Sequence, residues 1–384
     1  MWLGSNLDKN WAVNKAAFIH KRYLWISITL STASFKENTM HFLKELKFPI
    51  IQGPMAGGSC TPELVAGVSN AGGLGALPAS MLSPEKMREQ AAQVRALTEQ
   101  PFLINLFVQG KPSPSAEEVA RAAELLRPAW ERLGWSSLPI PSKWCEDFDA
   151  QFDTLIALRP AAASFTFDIL TPAQVERLHA AGIAVIGTVT TVDEALAWET
   201  VGADAVVASG VEAGGHRGTF LGPQEDATMA ARQLWPAVAH AVKIPVIAAG
   251  GIMTGVDIND ALSTGAKAVQ MGTAFLVCEE SGISEVYKKR LVEAGSTPTR
   301  LTRAFSGRYA RGLENEFMRQ MASIEKQFPA YPIQNALTGP IRAAAAEQGD
   351  AELMSLWCGA EVKRARPMKV AKLMVLLAAE MRTR

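Results

Sequence analysis

From Phe48 onward the chain alternates between two textures. Short runs are apolar at nearly every position: PIIQG (49–53), GLGALP (73–78), FLINLF (102–107), AAASFTFD (161–168), AVIGTVT (184–190), ADAVVASG (203–210), PVIAAGG (245–251) and AVQMGTAF (268–275). A strand without a polar side has no solvent face, which suits a parallel sheet covered by helices. Between these runs, PELVAGVSNAG, TPAQVERLHAAG and TVDEALAWETVG carry helical periodicity and stop at glycine. AAGIAVIGT, VGADAVVASG and TGAKAVQMGT repeat one such helix-to-strand joint. Eight strands with seven evident connections predict an α/β fold, the TIM (β/α)8 barrel. A doubly wound sheet would use five or six strands and is the structural alternative.

Two stretches break the rhythm. Residues 109–160 are too long for one crossover: QGKPSPSAEE reads as a loop, followed by two helical stretches carrying Trp130, Trp135 and Trp144. This is an insertion after strand 3, a lid over the barrel mouth or a cover on its flank. After about residue 280 helices are expected to the end. The organisation is therefore a barrel over 41–280 and a helical C-terminal region over 281–384, packed near the barrel mouth. Residues 1–40 read as an N-terminal extension expected to be disordered. Within it, HKRYLWISITLSTASF resembles a signal peptide only faintly, because Ser and Thr break its apolar run and no strong cleavage pattern follows.

Composition narrows the function. Of 384 residues, 48% are hydrophobic, enough for a barrel core. The 38 Lys and Arg balance 38 Asp and Glu with no basic stripe, which argues against a nucleic-acid partner. No apolar run approaches the roughly 18 residues of a membrane span. Cys60, Cys145, Cys278 and Cys358 lie far apart. That spacing argues against a metal site or a disulfide framework and suits the cytoplasm.

In a barrel the chemistry sits where strands end. After strand 1, QGPMAGGSCTP (52–62) allows close backbone approach to a flat ligand, or is simply a tight turn. Asn105, inside LINLF, must find hydrogen-bond partners, either in neighbouring backbone or on a heterocycle edge. The loop SGVEAGGHRGTF (209–220) places His216 among glycines, where an imidazole can approach a bound molecule and accept or donate a proton. Glu212 could order this loop and Arg217 could attract an anion, although solvated loop charge is the preferred account of both. At the ends of strands 7 and 8, Gly250, Gly251, Gly272 and Thr273 offer N–H groups and a hydroxyl where barrels commonly bind phosphate. GGLG (72–75) lacks the spacing of a dinucleotide fingerprint, and no P-loop occurs. A flat cofactor with one phosphate, flavin mononucleotide (FMN), fits these features best. Pyridoxal phosphate would need a strand-end lysine, and none is present.

At these residues the chain resembles the class I nitronate monooxygenases, formerly called 2-nitropropane dioxygenases. The resemblance covers about residues 45–384. PIIQGPMAGG, SGVEAGGHRG, PVIAAGGI and GAKAVQMGTAFL follow the family's motif regions in order, and AFSGRYARG and YPIQNALTGP are similar to it as well. It implies an FMN-dependent TIM barrel that oxidises alkyl nitronates, propionate 3-nitronate foremost, with dioxygen to a carbonyl compound and nitrite or related nitrogen oxides. That is a detoxifying activity in a monomer or homodimer. Carried over, His216 is the catalytic histidine: base toward a neutral nitroalkane, and the group that positions the nitro oxygens of an anionic nitronate. Flavin contacts fall on Asn105, Ser209, Gly214, Gly250, Gly251, Gln270, Met271, Gly272 and Thr273. Many relatives carry Gln where this chain has Ser209, which reaches less far. FMN-dependent NAD(P)H reductases of the enoyl-ACP and quinone type share this barrel and histidine. A phosphosugar isomerase on the same fold would need a lysine or paired carboxylates at strand ends.

Overall fold

The computed structural model describes Leu43 and residues 46–382; the expectation for residues 1–40 lies outside them. Eight parallel strands form the barrel: β1 (Ile50–Gln52), β2 (Gly75–Pro78), β3 (Phe102–Phe107), β4 (Ala162–Thr166), β5 (Ala184–Val189), β6 (Ala205–Ser209), β8 (Val246–Ala249) and β9 (Ala268–Met271). Each falls within one of the apolar runs. The ladder proceeds from β2 in chain order to β9, β9 pairs with β1, and Gln52 N–H to Leu74 O at 3.0 Å closes the ring. The eighth run ends as a strand at Met271, and its last residues turn into the short helix Thr273–Leu276.

Strand alternation sorts the core. One side chain in two points into the barrel, where Ile51, Leu103, Ile186, Val207 and Ile247 meet six alanines, small enough for the narrow interior. The others face the helical layer: Ile50, Ile104, Phe165, Val185 and Val206 join the larger outer core. On β5, Gly187 makes room for the fully buried Trp198, since a Cβ there would lie 2.3 Å from the indole.

The wall of helices differs from expectation in one respect. Seven helices follow their strands: α1 (Pro62–Asn70), α2 (Pro84–Leu97), α5 (Phe148–Leu158), α6 (Pro172–Ala180), α7 (Val192–Val201), α8 (Ala231–Ala241) and α9 (Gly255–Ser263). The eighth, α14 (Val370–Arg382), comes a hundred residues after β9 and packs between α9 and α1. Its Val370, Leu373, Met374 and Leu377 belong to the outer barrel core. The barrel therefore extends past residue 280, and the end of the chain is wall rather than a mouth appendage. What lies between β9 and α14 is a long excursion.

That excursion is not purely helical. It holds α11 (Glu285–Val292), α12 (Glu316–Met321) and α13 (Ile333–Gln348), but also β10 (Thr299–Thr302) and β11 (Ala310–Leu313). These two form an antiparallel sheet with a two-residue strand, β7 (Gly215–His216), from the loop after β6. The insertion's α3 (Ala116–Leu125) and α4 (Arg127–Arg132) pack into the excursion's own core: Leu126, Ala129 and Trp130 join Phe305, Phe317 and Leu337. Arg132 also pairs with Glu316 and Asp350.

If α14 completes the barrel, Leu373→Ala should cost about 2–5 kcal/mol, the usual range for emptying a core leucine site. Equilibrium urea denaturation measures this, and a loss below about 1 kcal/mol would mean that α14 is dispensable to the wall.

Candidate active site

The strand ends open into a cavity of about 460 Å³. Asn105, Ser209, Gly214, His216, Gly250, Gly251, Gln270, Met271, Gly272 and Thr273, far apart in the sequence, all line it. The insertion contributes no lining residue: its α3 and α4 support the excursion, and its last helix, α5, is part of the barrel wall, with Phe152 and Leu155 in the outer core. Tyr331, Asn335, Arg342 and Trp357 do line it, all from the excursion. Residue-by-residue reading assigned them no role, although Tyr331 and Asn335 lie within YPIQNALTGP.

Two facts bear on a phosphate. Gly250 and Gly251 have φ of +113° and +73°, a region that strains other residues. Among the described residues, the N–H groups of Gly251 and Gly272 donate to no protein acceptor. Unpaired donors on a cavity wall suit the oxygens of an anion. The Thr273 hydroxyl accepts from Gly359 N–H at 2.8 Å, keeping its proton to donate elsewhere. Asn105 commits its amide nitrogen to Ser164 O and Oγ, at 3.1 and 3.0 Å, while its Oδ1 takes no bond from the described residues. The Gln270 side chain likewise has none. These unused groups fit the polar edge of a flat ring, and the orphaned N–H groups fit its phosphate. Gly214 has a further duty: a Cβ there would lie 2.5 Å from the Cys358 and Gly359 backbone.

His216 is fixed from the excursion. Its backbone pairs with Ala310, and its Nε2 lies 2.9 Å from Ser306 Oγ. That hydroxyl also lies 2.9 Å from Arg308 O and takes a longer contact from Arg308 N–H at 3.4 Å. Around the imidazole stand Phe167, Tyr331 and Trp357, at 5.5, 5.7 and 5.6 Å between ring centres. Phe167 holds φ at +86°, an uncommon conformation for a bulky residue, with its ring stacked on Phe107 and the Arg308 guanidinium over it at 4.3 Å.

Arg217 and Glu212 are not solvated loop charges. Arg217 is 1% exposed and donates to the carbonyls of Ser209, Gly210 and Ala227, fastening the loop to the end of β6. Glu212 accepts from Ala231 N–H at 2.7 Å, capping α8, which has no other side-chain cap. Glu194, buried beneath the loop, accepts from Phe220 and Leu221 N–H and from Thr190.

Two charged side chains line the cavity, Arg342 and Glu361, and Glu361 faces Arg364 at 3.7 Å. Arg342 donates to Asn335 O and Oδ1 and makes no ion pair with a carboxylate among the described residues. Burial lowers its pKa to about 10, still charged at neutral pH. Burial, then Arg308 and Arg342, push His216 down from 6.5 to about 3. Burial raises Tyr331, which keeps its proton. The cavity thus offers a neutral imidazole, a phenol and a cation to an anionic guest. No group of residues suited to hold a metal occurs among the described residues, and no described helix is long and apolar enough to cross a membrane.

Residues 38–380 match the family described as nitronate monooxygenase. A probable nitronate monooxygenase of Staphylococcus aureus is 41% identical over 326 residues, 85% of this chain and 92% of that protein. The crystal structure of a nitroalkane oxidase from Streptomyces ansochromogenes superposes with a TM-score of 0.82 at 40% identity, over 88% of this chain and 97% of the other. FabK from Thermotoga maritima is more distant, with a TM-score of 0.69 at 29% identity over 92% and 96%.

His216 should remain neutral from about pH 8 to about pH 5 in an NMR titration of 15N-histidine-labelled protein. The unfolded chain takes up this proton below about 6.5 and the folded protein only near 3, so this group removes stability as pH falls through that window. A His216 resonance titrating near 6.5 would overturn the assignment. The arrangement of the barrel, the cavity at its strand ends and the matched families together place this chain in the nitronate monooxygenase family of flavin-dependent oxidoreductases.

Proposed function

We propose that the protein oxidises alkyl nitronates with dioxygen, using FMN, to a carbonyl compound and nitrite or related nitrogen oxides. Propionate 3-nitronate is the proposed substrate, and removal of that toxic anion the proposed role. The observation that carries this reading is that one cavity holds both His216 and the Arg342 guanidinium, which pairs with no carboxylate among the described residues. A substrate bearing a carboxylate and a nitronate supplies the missing negative charge.

Gly250, Gly251, Gly272 and Thr273 would hold the FMN phosphate, and Asn105, Ser209, Gly214, Gln270 and Met271 would border its ring. When bound, the flavin supplies the electron-accepting chemistry. The chain's own residues bind and orient. Arg342 attracts the anion, Tyr331 donates a hydrogen bond from a phenol that stays protonated, and Phe107 and Trp357 keep water from the reacting carbon. A neutral nitroalkane must first lose its α-proton, and His216 is the group beside the cavity able to take it. A nitronate arrives without that proton. Loss of the imidazole should therefore matter more for the neutral form.

Anaerobic addition of propionate 3-nitronate to the yellow protein should bleach the oxidised flavin band. A band bleached by NADH or NADPH but untouched by the nitronate would favour the reductase alternative, and a colourless protein that takes up no FMN would sink the flavin reading. His216→Asn should lower kcat/KM for nitroethane by about 100-fold or more and for ethyl nitronate far less. Equal losses would remove the base assignment. Arg342→Met should raise KM for propionate 3-nitronate by about tenfold while sparing uncharged-chain nitronates, since a charge-assisted bond is worth roughly 1.5–3 kcal/mol.

A further inference from the structure

We infer that Ser306 sets the tautomer of His216, so that Nε2 carries the imidazole proton and Nδ1 is the nitrogen that meets the substrate. The argument is a count of protons and lone pairs. A serine hydroxyl has one proton to give and two lone pairs to fill. Ser306 Oγ has three neighbours: Arg308 O at 2.9 Å, Arg308 N–H at 3.4 Å and His216 Nε2 at 2.9 Å. The carbonyl oxygen can only accept, so the hydroxyl proton belongs to it. The amide N–H can only donate and uses one lone pair. The second lone pair is left for Nε2, which must then bear a proton.

The opposite tautomer breaks this account twice. It would turn the hydroxyl proton toward Nε2 and leave Arg308 O, which has no other donor among the described residues, unpaired. It would also place a proton on Nδ1, which has no acceptor among the described residues. In a ring with two nitrogens, the hydrogen bond of one decides the state of the other. His216 lines the cavity, and Nδ1 is its nitrogen without a protein partner.

What Nδ1 does rests on the function proposed above; which nitrogen carries the proton does not. With a neutral nitroalkane, the α-carbon–hydrogen bond breaks and a bond from Nδ1 to that proton forms. The electron pair stays on the substrate as the nitronate, leaving an imidazolium that still donates from Nε2 to Ser306. With a substrate already ionised, a bare Nδ1 has no proton to offer the nitro oxygens. Ser306 touches neither substrate nor cofactor in this scheme and is a positioning residue. It lies in AFSGRYARG on the excursion, 90 residues from the histidine it governs.

The test uses the full-length, flavin-loaded protein with 15N-labelled histidine. Long-range 1H–15N spectra should show His216 with a protonated Nε2 and a bare Nδ1. In Ser306→Ala a population with protonated Nδ1 should appear. The variant's kcat/KM should fall about tenfold or more with nitroethane, and several-fold less with ethyl nitronate. Ser306→Thr, which keeps the hydroxyl, should restore both the spectrum and the nitroethane rate. A protonated Nδ1 in the unmodified protein would overturn the inference, as would an unchanged tautomer in Ser306→Ala with equal losses on both substrates. If neither nitroethane nor ethyl nitronate is oxidised, the proposed function fails, while the spectra still decide the tautomer.

Discussion

The mouth of this barrel depends on one short antiparallel pairing, Gly215–His216 against Ala310–Arg311. Through it the loop after the sixth barrel strand leaves the barrel's own hydrogen-bond pattern and becomes the edge of another sheet. Arg217, the next residue, turns back and binds two carbonyls at the end of β6 and that of Ala227 beyond the loop, so the loop is fastened on both sides. An imidazole held this way is aimed by two structural units at once, and neither can shift without disturbing it. The fixed geometry is the kind that proton transfer needs, because misplacement by about an ångström is costly.

The same arrangement explains why the cavity is electrically unusual. The barrel contributes glycines, amides and hydroxyls, neutral groups that fit a cofactor. The cations come from the excursion, as Arg308 and Arg342. Burial keeps His216 neutral, and these two cations add repulsion and favour negative charge in the space beside it. Proton removal creates an imidazolium and an anion together, and the second offsets the repulsion felt by the first.

The barrel strands were legible because β1 to β6, β8 and β9 are buried on both faces, so continuous apolar runs betray them. The smaller sheet was not. Gly215–His216 is only two residues long, and TRLT and ARGL are mixed in polarity because three positions of β10 are only half-buried. Helix α14 was readable as a helix, but its place depends on contacts about 300 residues away with α1 and over 100 residues away with α9, which no local pattern encodes. The residues later found around the cavity from strand ends could be anticipated, since a barrel directs them there. Tyr331, Arg342 and Trp357 could not, because the path of the excursion has no such rule. A charged residue between glycines reads as exposed loop. Arg217 is buried because irregular backbone at the end of β6 leaves carbonyls that need donors.

The placement of α14 bears on how the molecule is made. All eight barrel strands and seven of the wall helices leave the ribosome before the excursion, and the excursion before the helix that completes the wall. The seam between α9 and α1 therefore stays open while the excursion is being synthesised, and Gly67 and Gly255, on which Val370 and Leu377 close, lie uncovered. Contacts so distant in sequence form slowly. The nascent chain thus acquires every residue that lines its cavity before its hydrophobic shell is sealed.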